Sequence, residues 1–192
     1  MQNAVPVGKG SMIAILGSKI NEINKFFIDN KNENSVCEIA NDNADGQVIV
    51  SGDQERISLL QNELRENKIK SIPLKVSAPF HCSLMKPAAM IMKNKIDETI
   101  FKIPKFKIVS NVNALPENNP SEIKKLLYKQ IFSTVRWRES LINMSKNGIT
   151  NFIEIGPGKV LSGMVKRTLK GVNCFSINSI ADIKTFINEL KK

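Results

Sequence analysis

The chain has 192 residues, of which 42% are hydrophobic and 24% charged, the composition of a soluble globular protein with one large domain or two lobes. No apolar run approaches the roughly 18 residues that a membrane-spanning helix needs, so a membrane protein is not expected. The three cysteines are odd in number and far apart, which argues against a disulfide framework or a zinc site and favours a reducing cytoplasm.

The net charge of +10 raises the question of a nucleic-acid partner. The lysines, however, are scattered among Asn, Ile and Glu, and no nucleic-acid-binding motif is present. Nucleic-acid binding is therefore a minor alternative, and an acidic protein or an anionic cofactor would suit the charge equally well.

The first half of the chain predicts alternating strands and helices. Residues 1–10 contain Pro and Gly but no start signal, and they are predicted to end an upstream helix and to connect onward. Strands are predicted from apolar or alternating runs, and helices from apolar residues at helical spacing, the second helix with Asp53 as its N-cap. The predicted elements are a strand at 12–16, a helix from Ile20 to Asn30, strands at 36–40 and 47–51 around a turn at 41–46, a helix with Ile57, Leu60 and Leu64, and a strand at 69–76. This βαββαβ order over residues 11–76 predicts a ferredoxin-like antiparallel sheet with both helices on one side.

The second half, residues 77–192, predicts more helices than strands. Ser83 is predicted to cap a helix whose apolar face runs from Leu84 to Ile96. The later predicted elements are a strand at 106–110, helices from Pro120 and over 137–146, a strand at 149–155, a helix over 160–169, a strand at 174–177 and a final helix with Ile183 and Phe186. Such alternation favours a parallel α/β sheet, although three strands are few for so many helices.

The only histidine, His81, lies in the stretch Ser77-Ala78-Pro79-Phe80-His81-Cys82-Ser83-Leu84-Met85. Its ordinary pKa suits proton transfer near neutral pH, so it could be a general base, or else a polar side chain satisfied within the core. A dyad of His81 with Cys82 is less favoured than a structural thiol, because neighbours along a chain seldom face each other. The chain contains no Gly-x-Ser-x-Gly nucleophile elbow, so a base is present without an evident nucleophile.

Two further segments allow two interpretations each. Gly156-Pro157-Gly158-Lys159, between a predicted strand and helix, could cradle a phosphate, but its spacing is not that of a P-loop and a structural turn is favoured. Residues 41–47, rich in Asn and Asp, could line a polar pocket or form a hairpin turn. A metal site is not expected, since the chain has one histidine and no paired cysteines.

Five blocks of sequence resemble one known family in their order and spacing. They are residues 77–85 around His81, Asn41-x-Asn43 with residues 46–52, Ser110-Asn111-Val112, Thr134-Val135-Arg136-Trp137, and residues 154–161. In these blocks the chain resembles the malonyl-CoA:acyl carrier protein transacylases over nearly all of its length. The resemblance implies an α/β fold, with residues 11–76 as a ferredoxin-like lobe and residues 77–192 as the C-terminal part of an α/β-hydrolase-like lobe.

The resemblance also implies an activity and roles for single residues. Family members are acyltransferases of type II fatty acid synthesis, in which an active-site serine takes a malonyl group from coenzyme A as an ester and passes it to the phosphopantetheine thiol of acyl carrier protein. His81 would be the catalytic base of both half-reactions, Phe80 would exclude a methylmalonyl branch, and the backbone carbonyl of Arg136 would orient the histidine. The positions implied near the substrate pocket are Asn43, Gln47 and Asn111. No cofactor is implied, since malonyl-CoA is a substrate.

Three features of the family lie upstream of where this sequence begins: a Gly-Gln-Gly-Ser-Gln segment, a Gly-His-Ser-x-Gly elbow, and the arginine that pairs with the malonyl carboxylate. The chain therefore resembles the C-terminal portion of a transacylase, and we expect it to be inactive alone. The alternatives are a non-catalytic remnant, or a partner subunit of a split transacylase that combines with an N-terminal fragment. The other expected partners are acyl carrier protein and a coenzyme A thioester.

Overall fold

The computed structural model describes residues 4–6, 8–28 and 35–190, and the chain divides into two compact units, Met1–Ser140 and Leu141–Lys192. The strands are β1 (Gly10–Leu16), β2 (Cys37–Ala44), β3 (Gln47–Asp53), β4 (Lys70–Pro73), β5 (Ile108–Val109), β6 (Pro116–Glu117), β7 (Asn151–Ile155) and β8 (Asn173–Ile177). The α-helices are α1 (Ile20–Ile28), α2 (Gln54–Glu66), α3 (Lys86–Glu98), α4 (Pro120–Gln130), α5 (Trp137–Lys146), α6 (Val160–Thr168) and α7 (Ile180–Leu190). The architecture is mixed α/β. The lobe boundary predicted between residues 76 and 77 is based on the order of strands and helices. The division into two units is based on compactness, so it does not test that boundary.

Strands β1 to β4 form one antiparallel sheet in the first unit, with the strand order β2-β3-β1-β4. The element order predicted for residues 11–76 is the order observed. Helix α1 is described as far as Ile28, and its predicted end at Asn30 lies outside the described residues. Both helices cover the same face of the sheet, because one buried cluster contains side chains from both. Its members are Ile13, Ile15, Ile23, Val48, Val50, Ile57, Leu60 and Leu64.

The opposite face of this sheet carries a second apolar cluster, which includes two alanines. Its buried members are Met12, Ala14, Ala40 and Ile49, with Leu16, Leu74 and Phe80 packed against them. Gly10 allows a close approach at the start of β1, because a Cβ atom there would lie 2.3 Å from Cγ of Pro79. The segment that contains His81 is thus packed onto the face that the helices leave open.

Residues 41–44, predicted as part of a turn, belong to strand β2. Their backbone is paired on both edges, by β3 and by Val135. The Val135 N–H donates to the carbonyl of Ala40 (2.8 Å), and the Val135 carbonyl accepts from the N–H of Asp42 (2.9 Å). Hydrogen bonding on both edges therefore outweighs the turn preference of Asn and Asp, and the register shifts of β2 show where the strand bulges.

The strand predicted at residues 106–110 is shorter than expected and does not join a parallel sheet. Strand β5 pairs with β6 in an antiparallel arrangement, with Ile108 opposite Glu117. The chain reverses direction in a tight turn between β5 and β6. In this turn the N–H of Ala114 donates to the Ser110 carbonyl at 2.8 Å, and Ala114 has a left-handed φ of +58°. The predicted parallel sheet is therefore wrong for this strand, because a tight turn pairs it with its neighbour in sequence.

In the second unit, β7 and β8 are parallel neighbours connected through α6. Glu154 of β7 accepts hydrogen bonds from the N–H groups of Leu161 (3.1 Å) and Ser162 (2.7 Å) at the start of α6. A carboxylate of the chain itself thus occupies the helix N-terminus that a phosphate would need, which favours the structural turn at residues 156–159. Among the described helices, none is both long enough and apolar enough to cross a membrane.

Candidate functional site

His81 lies in a tight turn between β4 and α3, shortly before a 3-10 helix at Ser83–Met85. Its φ of +59° places a residue other than glycine in the left-handed region. This conformation costs on the order of 1 kcal/mol and persists only where the surrounding structure holds it. Residues on both sides of His81 make contacts that stabilise this backbone conformation.

The imidazole of His81 is half-buried, and its Nδ1 lies 3.1 Å from the backbone carbonyl oxygen of Gln130. The side-chain amide nitrogen of Gln130 lies farther from Nδ1, at 3.5 Å. Because a carbonyl oxygen only accepts hydrogen bonds, the shorter contact assigns the proton of the neutral ring to Nδ1 and the free lone pair to Nε2. Burial lowers the pKa of His81, and the Gln130 carbonyl opposes this to a smaller extent. The ring is therefore neutral at pH 7, in the tautomer that a general base acting through Nε2 requires.

The prediction that the Arg136 carbonyl orients the histidine is wrong in this structure. That carbonyl accepts hydrogen bonds from the N–H and the Oγ of Ser140, both at 2.9 Å, within the first turn of α5. The N–H of Arg136 donates to the carbonyl of Asn111 at 3.0 Å, and its guanidinium pairs with Glu139. The sequence pattern could not reveal Gln130, because the contact uses a main-chain oxygen that any residue type would supply.

Glu38, on β2, holds the chain just after His81. Its carboxylate accepts hydrogen bonds from the backbone N–H of Ser83 (3.1 Å) and from the Ser83 hydroxyl (2.5 Å). The prediction that Ser83 caps the following helix is wrong, since Ser83 lies within the 3-10 helix and the N-cap of α3 is Met85, without a side-chain capping hydrogen bond. In the sequence, Glu38 is the polar residue between Cys37 and Ile39 of the predicted strand at 36–40, and this position gives no sign of the contact.

Cys82 is fully buried beside Ser51 of β3. The Ser51 hydroxyl donates to Sγ of Cys82 at 3.5 Å, and the thiol donates to the carbonyl of Pro79 at 3.2 Å. Burial raises the pKa of the Cys82 thiol, which disfavours a thiolate nucleophile. These contacts support a structural thiol rather than a dyad of Cys82 with His81.

Phe80 lies between two apolar clusters. It packs against one cluster that includes Ala78 and Met85, and against a second that includes Ala14 and Ile49. Its ring is thus held by packing directly before the histidine. The effect of Phe80 on substrate choice stays a prediction.

A cavity of about 210 Å³ lies in the first unit beside α4 and the β5–β6 pair. It is lined by Ile108, Val109, Ser110, Asn111, Glu117, Ile123, Leu126, Leu127 and Gln130. Gln130 belongs both to this wall and to the contact with His81, so the cavity adjoins the anchor of the histidine. Of the predicted pocket residues, Asn111 lines the cavity, whereas Asn43 in β2 and Gln47 in β3 do not. The described residues contain no cluster of three or more His, Cys, Asp or Glu side chains that could hold a metal ion.

Comparison with known proteins gives a consistent result, although no family model matches the chain. The malonyl CoA-acyl carrier protein transacylase of Bacillus subtilis is 38% identical over 193 residues, which cover 100% of this chain and 61% of that protein. The crystal structure of the acyl-carrier-protein-S-malonyltransferase from Bartonella henselae matches with a TM-score of 0.93 at 34% identity, covering 100% of this chain and 61% of that one. A malonyl-transacylase in complex with its type II PKS acyl-carrier protein matches with a TM-score of 0.92 at 31% identity, covering 98% of this chain and 61% of that one.

The fold and these similarities show that the chain is homologous to acyltransferases. More specifically, it is homologous along its whole length to the malonyl-CoA:acyl carrier protein transacylases, which confirms the resemblance carried by its sequence blocks. The chain spans about three fifths of the length of the curated relatives it matches. This share is consistent with the predicted C-terminal portion.

Proposed function

We propose that these residues supply the base-bearing portion of a malonyl-CoA:acyl carrier protein transacylase of fatty acid synthesis. The observation that carries the proposal is His81, the only histidine, whose Nδ1–H is donated to a main-chain carbonyl 3.1 Å away. This arrangement leaves Nε2 available to take up a proton. The similarity to transacylases along the whole chain supports the assignment.

The proposed reaction uses the same base twice. Nε2 of His81 takes the hydroxyl proton of a serine as the serine oxygen attacks the thioester carbonyl of malonyl-CoA; the carbon–sulfur bond breaks, and the imidazolium protonates the departing thiolate. In the second half-reaction, Nε2 takes the proton of the phosphopantetheine thiol while its sulfur attacks the malonyl ester, and the imidazolium protonates the departing serine oxygen. Since residues 1–192 contain no nucleophile elbow, this serine would come from a transacylase segment that they do not include.

The remaining site residues have proposed roles around the same reaction. Phe80, directly before the base, would leave no room for a methylmalonyl branch. Asn111, on the cavity wall, would lie near the bound malonyl group. For Asn43 and Gln47, a place in the neighbourhood of the substrate rests on the family resemblance alone. Acyl carrier protein and the coenzyme A thioester are the proposed partners.

The proposed placement in the whole protein follows from the topology. Strands β1 to β4 with α1 and α2 would form a ferredoxin-like lobe inserted in an α/β-hydrolase-like lobe, and the strand order β2-β3-β1-β4 supports this. The cysteines are free thiols at Cys37, Cys82 and Cys174, which supports a cytoplasmic location.

Transfer of radiolabelled malonyl groups from coenzyme A to acyl carrier protein tests the proposal. We expect no transfer by residues 1–192 alone. Transfer should appear when the chain is mixed with, or fused to, the segment of the Bacillus subtilis relative that it does not match, because the family's serine lies there. His81→Ala should abolish the restored transfer, and the exposed Glu66→Gln should leave it unchanged.

The outcomes of this assay test the role of His81 and the need for an external serine separately. Transfer that survives in His81→Ala would overturn the role of the base, and turnover by the chain alone would overturn the need for an external serine. A folded fusion that transfers nothing would favour the non-catalytic alternative.

A further inference from the structure

A carboxylate on the sheet holds the residue that lies two positions after His81. Both oxygens of Glu38 accept hydrogen bonds, and both donors belong to Ser83, two residues after the histidine. We propose that Glu38 is a positioning residue, whose carboxylate fixes Ser83 and thereby holds His81 in the left-handed conformation that directs Nδ1 to the Gln130 carbonyl. This inference rests on the proposal that His81 is the base.

The position of Glu38 suits this role, because it lies on a strand that is itself held firmly. In the register of β2 and β3, Glu38 lies opposite Ser51. Ser51 contacts Cys82 while Glu38 contacts Ser83, so two paired sheet positions hold two consecutive residues of the turn. A strand that is hydrogen-bonded along its length gives the turn a rigid support, which the unfavourable φ of a residue other than glycine requires.

The contact needs a forked polar side chain of this length, with one terminal atom for each of the two polar groups of Ser83. The N–H of Ser83 is the first donor of the 3-10 helix at Ser83–Met85 and has no acceptor within that helix. An ionised carboxylate accepts from this N–H and from the hydroxyl at the same time, in charge-assisted hydrogen bonds. Loss of the carboxylate would leave two half-buried donors without this acceptor.

Glu38 acts on His81 through geometry and not through its charge. Both of its carboxylate oxygens contact Ser83, and burial is the larger cause of the lowered pKa of His81. A neutral side chain with the same hydrogen-bonding reach should therefore replace Glu38. This expectation separates positioning from an electrostatic effect.

The test uses the ring of His81 directly and needs no catalysis. Because the chain has one histidine, its ring ¹⁵N signals in an NMR spectrum are assigned without ambiguity. At neutral pH the wild-type chain should show the tautomer with the proton on Nδ1. Glu38→Ala should give a mixture of tautomers and raise the pKa of His81 toward its ordinary value, because the released turn exposes the imidazole.

The matched variant is Glu38→Gln, whose amide oxygen can accept from the Ser83 N–H and whose amide nitrogen can donate to the hydroxyl. It should keep the wild-type ring spectrum. Ser83→Ala, which removes one of the two donors, should give an intermediate shift, and Glu66→Ala at an exposed position should give none.

Two results would overturn the proposal: a folded Glu38→Ala with the wild-type tautomer and pKa, or equal shifts in Glu38→Ala and Glu38→Gln. If Glu38→Ala does not fold, Ser83→Ala decides, and an unchanged ring spectrum there would overturn it. In the fused enzyme, Glu38→Ala should lower kcat by about tenfold or more with little change in KM, and Glu38→Gln should restore it. If the ring spectra are unaffected while His81→Ala still abolishes transfer, this inference fails and the proposed function stands.

Discussion

The two faces of the four-stranded sheet are covered in different ways. On the face covered by α1 and α2, large aliphatic side chains such as Ile13, Leu60 and Leu64 are fully buried together. The other face carries small residues such as Ala14 and Ala40, and the turn with His81 approaches it through hydrogen bonds and a close contact of Pro79 with Gly10. Apolar burial therefore stabilises both faces, and on the second face hydrogen bonds and the close contact also set the geometry of the turn.

We expect the largest loss of stability from a substitution in the core between the sheet and the helices α1 and α2. Leu60 is 0% exposed and its neighbour Leu59 is 56% exposed, so the pair differs in burial and not in residue type. Leu60→Ala should lower the free energy of unfolding by about 2–5 kcal/mol. Leu59→Ala should change it by less than about 0.5 kcal/mol. Urea unfolding followed by circular dichroism measures both, and equal losses would contradict the division between core and surface.

We expect a smaller loss of stability when a side chain is added at Gly10, where β1 lies close to the turn that carries His81. Gly10→Ala places a Cβ atom 2.3 Å from Cγ of Pro79, so either the Pro79 side chain or strand β1 must move. We expect a loss of about 1–3 kcal/mol in the free energy of unfolding, together with a change in the NMR signals of His81. Gly163→Ala is the control, because nothing lies within 4 Å of a Cβ atom there. A Gly10→Ala chain with unchanged His81 signals would show that the close approach does not set the turn.

The smallest expected effect is the pH dependence that His81 contributes to stability. Burial lowers the pKa of His81 in the folded chain, so the unfolded chain binds the proton first as the pH falls. This contribution is fully present above the ordinary pKa of 6.5 and is lost as the pH falls from there through the folded value. The free energy of unfolding should therefore decline more steeply in the wild type than in His81→Gln, measured from about pH 8 to about pH 5. Parallel curves would show that the imidazole titrates as it does in the unfolded chain.

The predictions from sequence succeeded where a structure depends on local spacing. The strand at residues 12–16, the helix with Ile57, Leu60 and Leu64, and the helix over 137–146 follow from periodicity, and each is present. The predictions failed where a distant segment supplies the hydrogen bonds. Residues 41–44 are a strand because Val135 pairs with their free edge. Ser83 contacts Glu38 of a distant strand, and Met85 is the N-cap of α3.

By itself, the sequence determined the element order of residues 11–76, the identity of the only histidine that could act as a base, and the family resemblance. These depend on periodicity, residue inventory and motif spacing, which can be read along the chain. Only the tertiary structure decided what holds that histidine. Gln130 is 49 positions from His81 and Glu38 is 45 positions from Ser83, and one of the two contacts uses a main-chain oxygen that has no sequence signature. Folding brings these groups together, and the tautomer of the ring follows from that contact.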